Sequence, residues 1–341
     1  MDLLPTQEQQ EITAAAAALL AKQARTDLHD PRRSLSPPDP LRWGQYADLG
    51  WFGLGLPEAR GGVGYGMAEE SLLYREIGRY LAPGPFLAST LGARVASAAG
   101  ARELASAILS GGATVGLAEP SGHDAQVGDR LTGTFDLFDA DGATHLLVVT
   151  SESAVLAAAE DVGTPDVVRC IDPAVRFARV RMEALVPVVA VPAATDLVFQ
   201  RGVVLAGAVL AGIGEATRDE ASEWAKTREQ FGRPIGVNQA IKHRCADMAV
   251  RAELSTQQVL FAALAIDEGR SDLAFQAAAA KVVATDTAIG NAAANIQVHG
   301  GIGYTFEHDA HLYLKRAHVL DRLLGDRRTH LRSLVEMGAA Q

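Results

Sequence analysis

One helical seam constrains the fold of this chain more than any other stretch. Ile241, Cys245, Met248, Ala252, Ser255, Val259, Ala262 and Ile266 recur in alternating steps of four and three residues. In an α-helix they share one narrow stripe. Asn238 stands where an N-cap belongs, and Gly269 where the helix would end. A long stripe of small and medium side chains is what an antiparallel helix bundle buries, so the seam predicts one.

The rest of the chain divides by texture into three parts. Residues 1–113 read as an N-terminal helical domain, with helices predicted over 7–22, 42–49, 68–80 and 101–109. Pro37-Pro38-Asp39-Pro40 breaks it, and a glycine-punctuated loop runs from Gly50 to Gly64. Residues 114–195 change to short apolar or β-branched runs over 146–150, 167–171 and 186–191, separated by Asp, Gly and Pro, which is the texture of a middle β domain. Residues 196–341 are helical again. The fold class is therefore mostly α with a small β domain.

A chain of 341 residues with 48% apolar content can bury a large core. Its charge is 31 minus 41, or −10, without a basic block, which argues against nucleic acid as a partner. Cys170 and Cys245 lie far apart in differently patterned regions and suggest neither a disulfide framework nor a zinc site. The first residues lack the basic and apolar regions of a secretory leader, and no charge-free run reaches the length of a membrane span. The expectation is a soluble, cytoplasmic protein.

Two motifs carry chemistry. The first is Arg228-Glu229-Gln230-Phe231-Gly232-Arg233-Pro234-Ile235, followed by Gln239. The second is Gln297-Val298-His299-Gly300-Gly301-Ile302-Gly303-Tyr304-Thr305, which leads into a run ending Lys315-Arg316-Ala317. The glycines of the second have two readings. They either end a helix and let the next cross closely, or they leave bare backbone for a pyrophosphate at a helix start. Gly207, Gly212 and Gly214, inside an alanine-rich helix, read as close-packing positions. Gly62-Val63-Gly64-Tyr65-Gly66 has neither the preceding strand nor the register of a dinucleotide fingerprint. Glu307, His308 and His311 bring an acid and two imidazoles together, yet a complete ligand set is not in view, so no metal is expected.

Together these motifs resemble the flavin-dependent acyl-CoA dehydrogenases. Leu56-Pro57-Glu58, Gly61-Gly62 and the acidic helix ending Glu76-Ile77-Gly78-Arg79 are similar to that family's N-terminal signature. Ala118-Glu119-Pro120-Ser121-Gly122-His123-Asp124 is similar to its Glu-Pro and Gly-Ser-Asp loop, with His123 at the serine. The chain departs from the family in the middle, where the β segment is short and the usual tryptophan-containing strand is not recognisable. The resemblance implies an N-terminal helical domain, a middle β-barrel-like domain and a C-terminal four-helix bundle, with FAD as cofactor. It gives Arg228, Phe231 and Gln239 contacts to the dinucleotide of a neighbouring subunit, and gives Gln297, Gly300 and Gly301 its pyrophosphate and adenosine end. An obligate oligomer follows, either a homotetramer or a heterotetramer with a homologous subunit, passing electrons to electron-transfer flavoprotein. Arginine suits such a grip, because its planar fork pairs two phosphate oxygens at once.

The family oxidises an acyl-CoA to its 2-enoyl form. A carboxylate removes the α proton while the flavin accepts hydride from the β carbon. The resemblance implies two positions for that carboxylate, and neither holds an acid here. Aligning Lys315-Arg316-Ala317 puts Leu324 over the glutamate of a Tyr-Glu-Gly-Thr element. The alternative glutamate precedes the arginine matching Arg201, a candidate substrate contact, and is Gln200. Asp326 is the nearest replacement, with Asp321 next. The bland reading makes Asp326, with Arg327 and Arg328, a solvated or ion-paired helix start.

Three readings stay open. The chain is an acyl-CoA dehydrogenase using Asp326 or an acid from across a subunit interface. It is a flavin-binding and structural subunit whose homologous partner carries the base, as the resemblance to short actinobacterial members of heterotetramers, some acting on steroid side-chain thioesters, implies. Or it runs another flavin reaction, such as that of an oxidase or monooxygenase.

Overall fold

The computed structural model describes residues 4–24 and 39–339. Pro37 and Pro38 of the predicted break, and the first three residues of the chain, lie outside them. The helices are α1 (Gln7–Ala24), α2 (Pro40–Asp48), α3 (Met67–Arg79), α4 (Phe86–Ala98), α5 (Arg102–Leu109), α6 (Val198–Thr227), α7 (Gln239–Asp267), α8 (Leu273–His299), α9 (Ala310–Arg322) and α10 (Arg327–Ala339). The chain forms two compact units. Of the described residues, one comprises 4–24, 71–82 and 203–339, the other 39–70 and 83–202.

The first unit is a helical bundle. Along α7 the predicted seam is buried at Met248, Ala252, Ser255, Val259, Ala262 and Ile266, and half-buried at Ile241 and Cys245 near the helix start. Asn238 occupies the N-cap position, but its amide donates to Ile235 O at 3.0 Å and caps nothing. α7 packs along α8, which also carries α9 and α10. The alanines at 277, 280, 284, 288 and 292 are buried and let these helices approach closely. α3 and α6 cross backbone to backbone at Gly78 and Gly212. A Cβ at either glycine would fall on a carbonyl of the other helix, Val209 O or Arg75 O. A Cβ at Gly214 would lie 2.6 Å from Thr287 Cγ2, whereas one at Gly207 would meet only ordinary contacts. Arg79 pins the crossing, pairing with Glu215 at 2.8 Å and Asp219 at 2.9 Å.

Residues 195–227 are long and apolar enough by composition to cross a bilayer. Of its most apolar window, 78% is buried inside the protein, as the central helix of a bundle requires.

The second unit holds a seven-stranded mixed sheet in the order β5-β6-β2-β1-β3-β4-β7. Its strands are β1 (Val115–Pro120), β2 (Leu131–Phe138), β3 (His145–Val149), β4 (Ser153–Ala158), β5 (Asp166–Val168), β6 (Phe177–Leu185) and β7 (Val189–Pro192). β1 and β3 are parallel and the other pairs antiparallel. On one face Leu131, Phe135, Leu137, Leu146, Val148, Val155, Val180 and Met182 form a core. The predicted runs over 146–150 and 186–191 correspond to β3 and β7. The run over 167–171 yields only a short exposed edge strand, with Ile171 open to solvent. Trp43, Tyr46, Trp51, Phe52 and Phe86 make an aromatic cluster beside α2 and α4, with Trp43 and Phe52 centroids 4.6 Å apart.

Candidate functional site

The Arg228 motif is an arm on the end of α6. Arg228 N–H donates to Trp224 O and Ile235 N–H to Arg228 O, both at 2.8 Å, which closes the arm at its base. Glu229–Gln230 then pairs with Arg233–Pro234 as a minimal antiparallel hairpin. Phe231 and Gly232 form its two-residue tip with φ of 53° and 75°. Both central positions of such a loop need positive φ, which Gly adopts freely and Phe only under strain. Phe231 is also 100% exposed, so no contact within the chain offsets that strain.

Among the described residues the side chains of Arg228, Gln239 and Gln297 make no hydrogen bond. The Arg228 guanidinium lies 5.9 Å from the Trp224 ring centroid and meets no carboxylate among the described residues. Gln239, the first residue of α7, is exposed, and so is Gln297 in the last turn of α8. Beside the arm lies a cleft of about 450 Å³, lined by Ala225, Lys226, Val237, Ile241, Lys242 and Cys245. Burial pushes the Cys245 thiol up, which keeps it protonated and unreactive at neutral pH.

The structure separates the glycines of the second motif. α8 stops at Gly300, whose φ of 69° and ψ of −145° only glycine adopts readily. Gly303 is a packing glycine, because a Cβ there would lie 2.7 Å from His299 Cβ. At Gly301 a Cβ would meet nothing within 4 Å, so the chain's own packing gives no reason for its bareness. The packing reading of the glycine run thus holds at Gly303, while Gly301 leaves backbone that no packing contact covers. His299 stacks on Trp224 with centroids 4.7 Å apart and planes at 27°. Its Nδ1 donates to Asn295 O at 2.9 Å, and burial holds its pKa below the usual imidazole range. Asn295 also donates to Glu220 at 2.9 Å, a carboxyl that burial pushes up.

The arm and the turn therefore present an unpaired guanidinium, two open amides, an upright aromatic ring and bare backbone. That donor set fits an anionic dinucleotide with a planar base, and FAD is such a molecule. Arg228, Phe231, Gln239, Gln297, Gly300 and Gly301 are the residues that would hold it.

The segment at the first base position is held as a fixed shape. Leu324 has φ of 57° and is 1% exposed. Lys281, itself inaccessible to solvent, donates to Leu320 O and Leu323 O at 2.8 Å each. His330 Nε2 donates to Leu324 O at 3.0 Å. Asp326 starts α10. Its Oδ1 accepts from Thr329 N–H at 2.8 Å and Thr329 Oγ1 at 2.7 Å, and these bonds hold its carboxyl below the usual range. A carboxylate so engaged is a weak proton acceptor, and its geometry is that of a helix cap.

In the second unit, Arg201 Nε donates to Asp196 O at 2.9 Å, and the guanidinium also reaches Met67 Sδ. Asp196 and Leu197 have φ of 57° and 52° ahead of α6. A buried Arg94 joins Asp196 to Glu70, at 2.9 Å to each. Gln200 Oε1 is buried without a partner among the described residues.

Sequence motifs alone miss Lys281, His330 and Trp224. Only Trp224 leaves a signal, standing one helical turn before Arg228 on the same face. Among the described residues no three His, Cys, Asp or Glu are grouped to hold a metal ion. His308 instead lies against His299, and His311 against Phe306.

Comparison with known proteins bears on this arrangement. Residues 6–115 match the family model of the acyl-CoA dehydrogenase N-terminal domain, and residues 190–337 that of the C-terminal domain. The chain is 33% identical to the acyl-CoA dehydrogenase IpdE2 of Mycobacterium tuberculosis, over 97% of this chain and 98% of that protein. It is 35% identical to the acyl-CoA dehydrogenase FadE34 of the same organism over 86% of this chain, an alignment spanning 41% of FadE34's length. A solved steroid ACAD, Tcur3481-Tcur3483, superposes with a TM-score of 0.84 at 25% identity, covering 98% of this chain and 99% of that one. With both end domains matched, a relative aligned along nearly its full length and the arm and turn in place, the chain belongs to the acyl-CoA dehydrogenases, a family of flavin-dependent oxidoreductases.

Proposed function

We propose that this chain is one subunit of an FAD-dependent acyl-CoA dehydrogenase, and that a homologous partner subunit supplies the carboxylate that takes the α proton. The observation that carries this reading is the engagement of Asp326 as the cap of α10. With Leu324 and Gln200 at the two family base positions, it was the nearest remaining candidate, and its Oδ1 accepts two bonds from Thr329 while its Oδ2 lies 3.8 Å from the Arg322 guanidinium. Loss of a general base costs on the order of a hundred- to ten-thousandfold in rate, so a chain without one needs a partner to turn over.

The arm and turn support the flavin-binding half of the proposal. Phe231 is raised into solvent at the cost of backbone strain, and Arg228 is left unpaired beside it. When bound, the flavin supplies the acceptor for the hydride leaving the β carbon. This chain's part is to grip the dinucleotide of a neighbouring subunit, with Arg228 and Gln239 as donors, the Phe231 ring against an apolar face, and bare backbone at Gly300 and Gly301 beside the pyrophosphate. Localisation in the cytoplasm and electron-transfer flavoprotein as acceptor belong to the same reading. One solved neighbour is described as a steroid ACAD, which is the reason to include steroid-derived acyl-CoA thioesters among the substrates tested.

The test is the visible spectrum of the purified chain, alone and co-expressed with a homologue carrying glutamate at the Gln200 or Leu324 position, against a panel of acyl-CoA thioesters. The expected result is bleaching only in the co-expressed assembly. Bleaching by the chain alone would return the base to this subunit and overturn the proposal.

A further inference from the structure

The connection between arm and turn is a ladder of stacked side chains. The Arg228 guanidinium lies over Trp224, which stacks on His299. His299 in turn lies 4.2 Å from His308, whose ring meets Trp224 edge-on at 6.0 Å. The rungs come from three places: the end of α6, the last residue of α8, and the loop entering α9. Each imidazole is also fixed at one edge by backbone. His299 Nδ1 donates to Asn295 O, and His308 Nδ1 accepts from Ala310 N–H at 3.1 Å, which leaves the His308 proton on Nε2.

Among the described residues no hydrogen bond or ion pair joins residues 228–237 to residues 297–306. Ala221, Ala225, Met248, Ala294 and Val298 form an apolar cluster against which both Trp224 and Ile235 pack. Such contact holds the segments together without fixing their orientation, since apolar association is non-directional. Ring stacking prefers particular offsets and tilts, and so can set it.

We propose that His308 is a positioning residue which, through His299 and Trp224, sets the spacing between the Arg228–Phe231 arm and the Gly300–Gly301 turn. The proposal rests on the reading of those two segments as grips on one dinucleotide. A ligand held at two points binds most tightly when those points are already set at the separation its bound form needs, because less ordering is then lost on binding. His308 touches neither grip, so its effect passes through the rings.

Two substitutions divide the ring from the hydrogen bond. His308→Phe keeps a ring on His299 and loses the acceptor for Ala310 N–H. His308→Asn keeps an acceptor near the Nδ1 position and loses the ring. In the full-length assembly, FAD affinity is read from the fluorescence of released flavin. His308→Phe is expected to hold FAD within about twofold of wild type, and His308→Asn to weaken it on the order of tenfold. A merely structural role at the start of α9 gives the opposite order, and that result, or equal affinity in both variants, overturns the proposal.

A second readout needs no flavin. In the apo chain the emission of Trp224, identified by difference against Trp224→Phe, is expected to shift to the red in His308→Asn and to stay in place in His308→Phe. If the wild-type assembly binds no FAD, the functional reading fails, and the emission alone decides the positioning role. An unshifted Trp224 in His308→Asn overturns it.

Discussion

Lys281 Nζ donates to Leu323 O at 2.8 Å from a side chain that solvent does not reach. With its bond to Leu320 O, which also accepts Leu323 N–H at 3.2 Å, the ammonium sits against the carbonyls at the C-terminus of α9, where the helix dipole favours a cation. Lys281→Met is therefore expected to cost about 3 kcal/mol, since buried acceptors are left without donors. Urea denaturation checks this. A loss under about 1 kcal/mol would show that water replaces the ammonium and that the lysine does not fix the loop.

His330 is the other clamp on that loop, and it makes stability depend on pH. Burial, reinforced by the Lys281 charge, lowers its pKa from 6.5 to about 4. As pH falls through 6.5 the unfolded chain takes up a proton that the folded chain refuses until about 4, so stability drops across that window, by about 3 kcal/mol in all. Glu76 and Glu220, both raised by burial, act in the opposite sense. The readout is therefore the difference in melting temperature between wild type and His330→Gln, which keeps a donor for Leu324 O. That difference should change between pH 7 and pH 4. A constant difference would assign the acid sensitivity to other groups.

Asp326 should behave as a cap. Asp326→Asn retains an oxygen for Thr329 N–H and should leave both stability and the turnover of the complete assembly close to wild type. Asp326→Ala should lose about 1 kcal/mol. If Asp326→Asn folds normally but abolishes turnover, Asp326 is the base and the cap is secondary.

Arg228 is exposed and meets no carboxylate among the described residues, so Arg228→Ala should leave the melting temperature of the apo chain within a degree or so of wild type. FAD binding should weaken about tenfold to a hundredfold, the range for losing hydrogen bonds to a charged group. Full retention of flavin would show that the arm does not reach it.

Phe231→Gly separates stability from function most sharply. Glycine takes the positive φ of the tip without strain, so the substitution should stabilise the apo chain by about 1 kcal/mol while lowering flavin retention. A stabilised variant with unchanged flavin content would leave Phe231 without a ligand-facing role.

How much of this was legible depended on whether a residue's partner is local in sequence. The α7 seam could be read because its stripe is narrow and regular, and its inner positions are buried from Met248 to Ile266. α4 gave no signal for the opposite reason. Its residues from Ala88 to Ala96 are buried on every side, so no polar face marks the period. β2 alternates between buried and half-buried residues, but its inward position 133 is a glycine, which blunts the pattern. The arm was legible as one contiguous motif. The grip of Lys281 and His330 on the loop after α9 was not, because its members come from α8 and α10 and meet only once the bundle has packed.

The strain at Phe231 also says where this chain would change first if its task were withdrawn. In a duplicated copy released from the proposed grip on a dinucleotide, glycine or asparagine at the arm's tip is favoured at once by folding alone, whereas Lys281, Gly78 and Gly212 stay locked by the packing around them. Retirement from function would thus be recorded at position 231 long before the bundle itself began to drift.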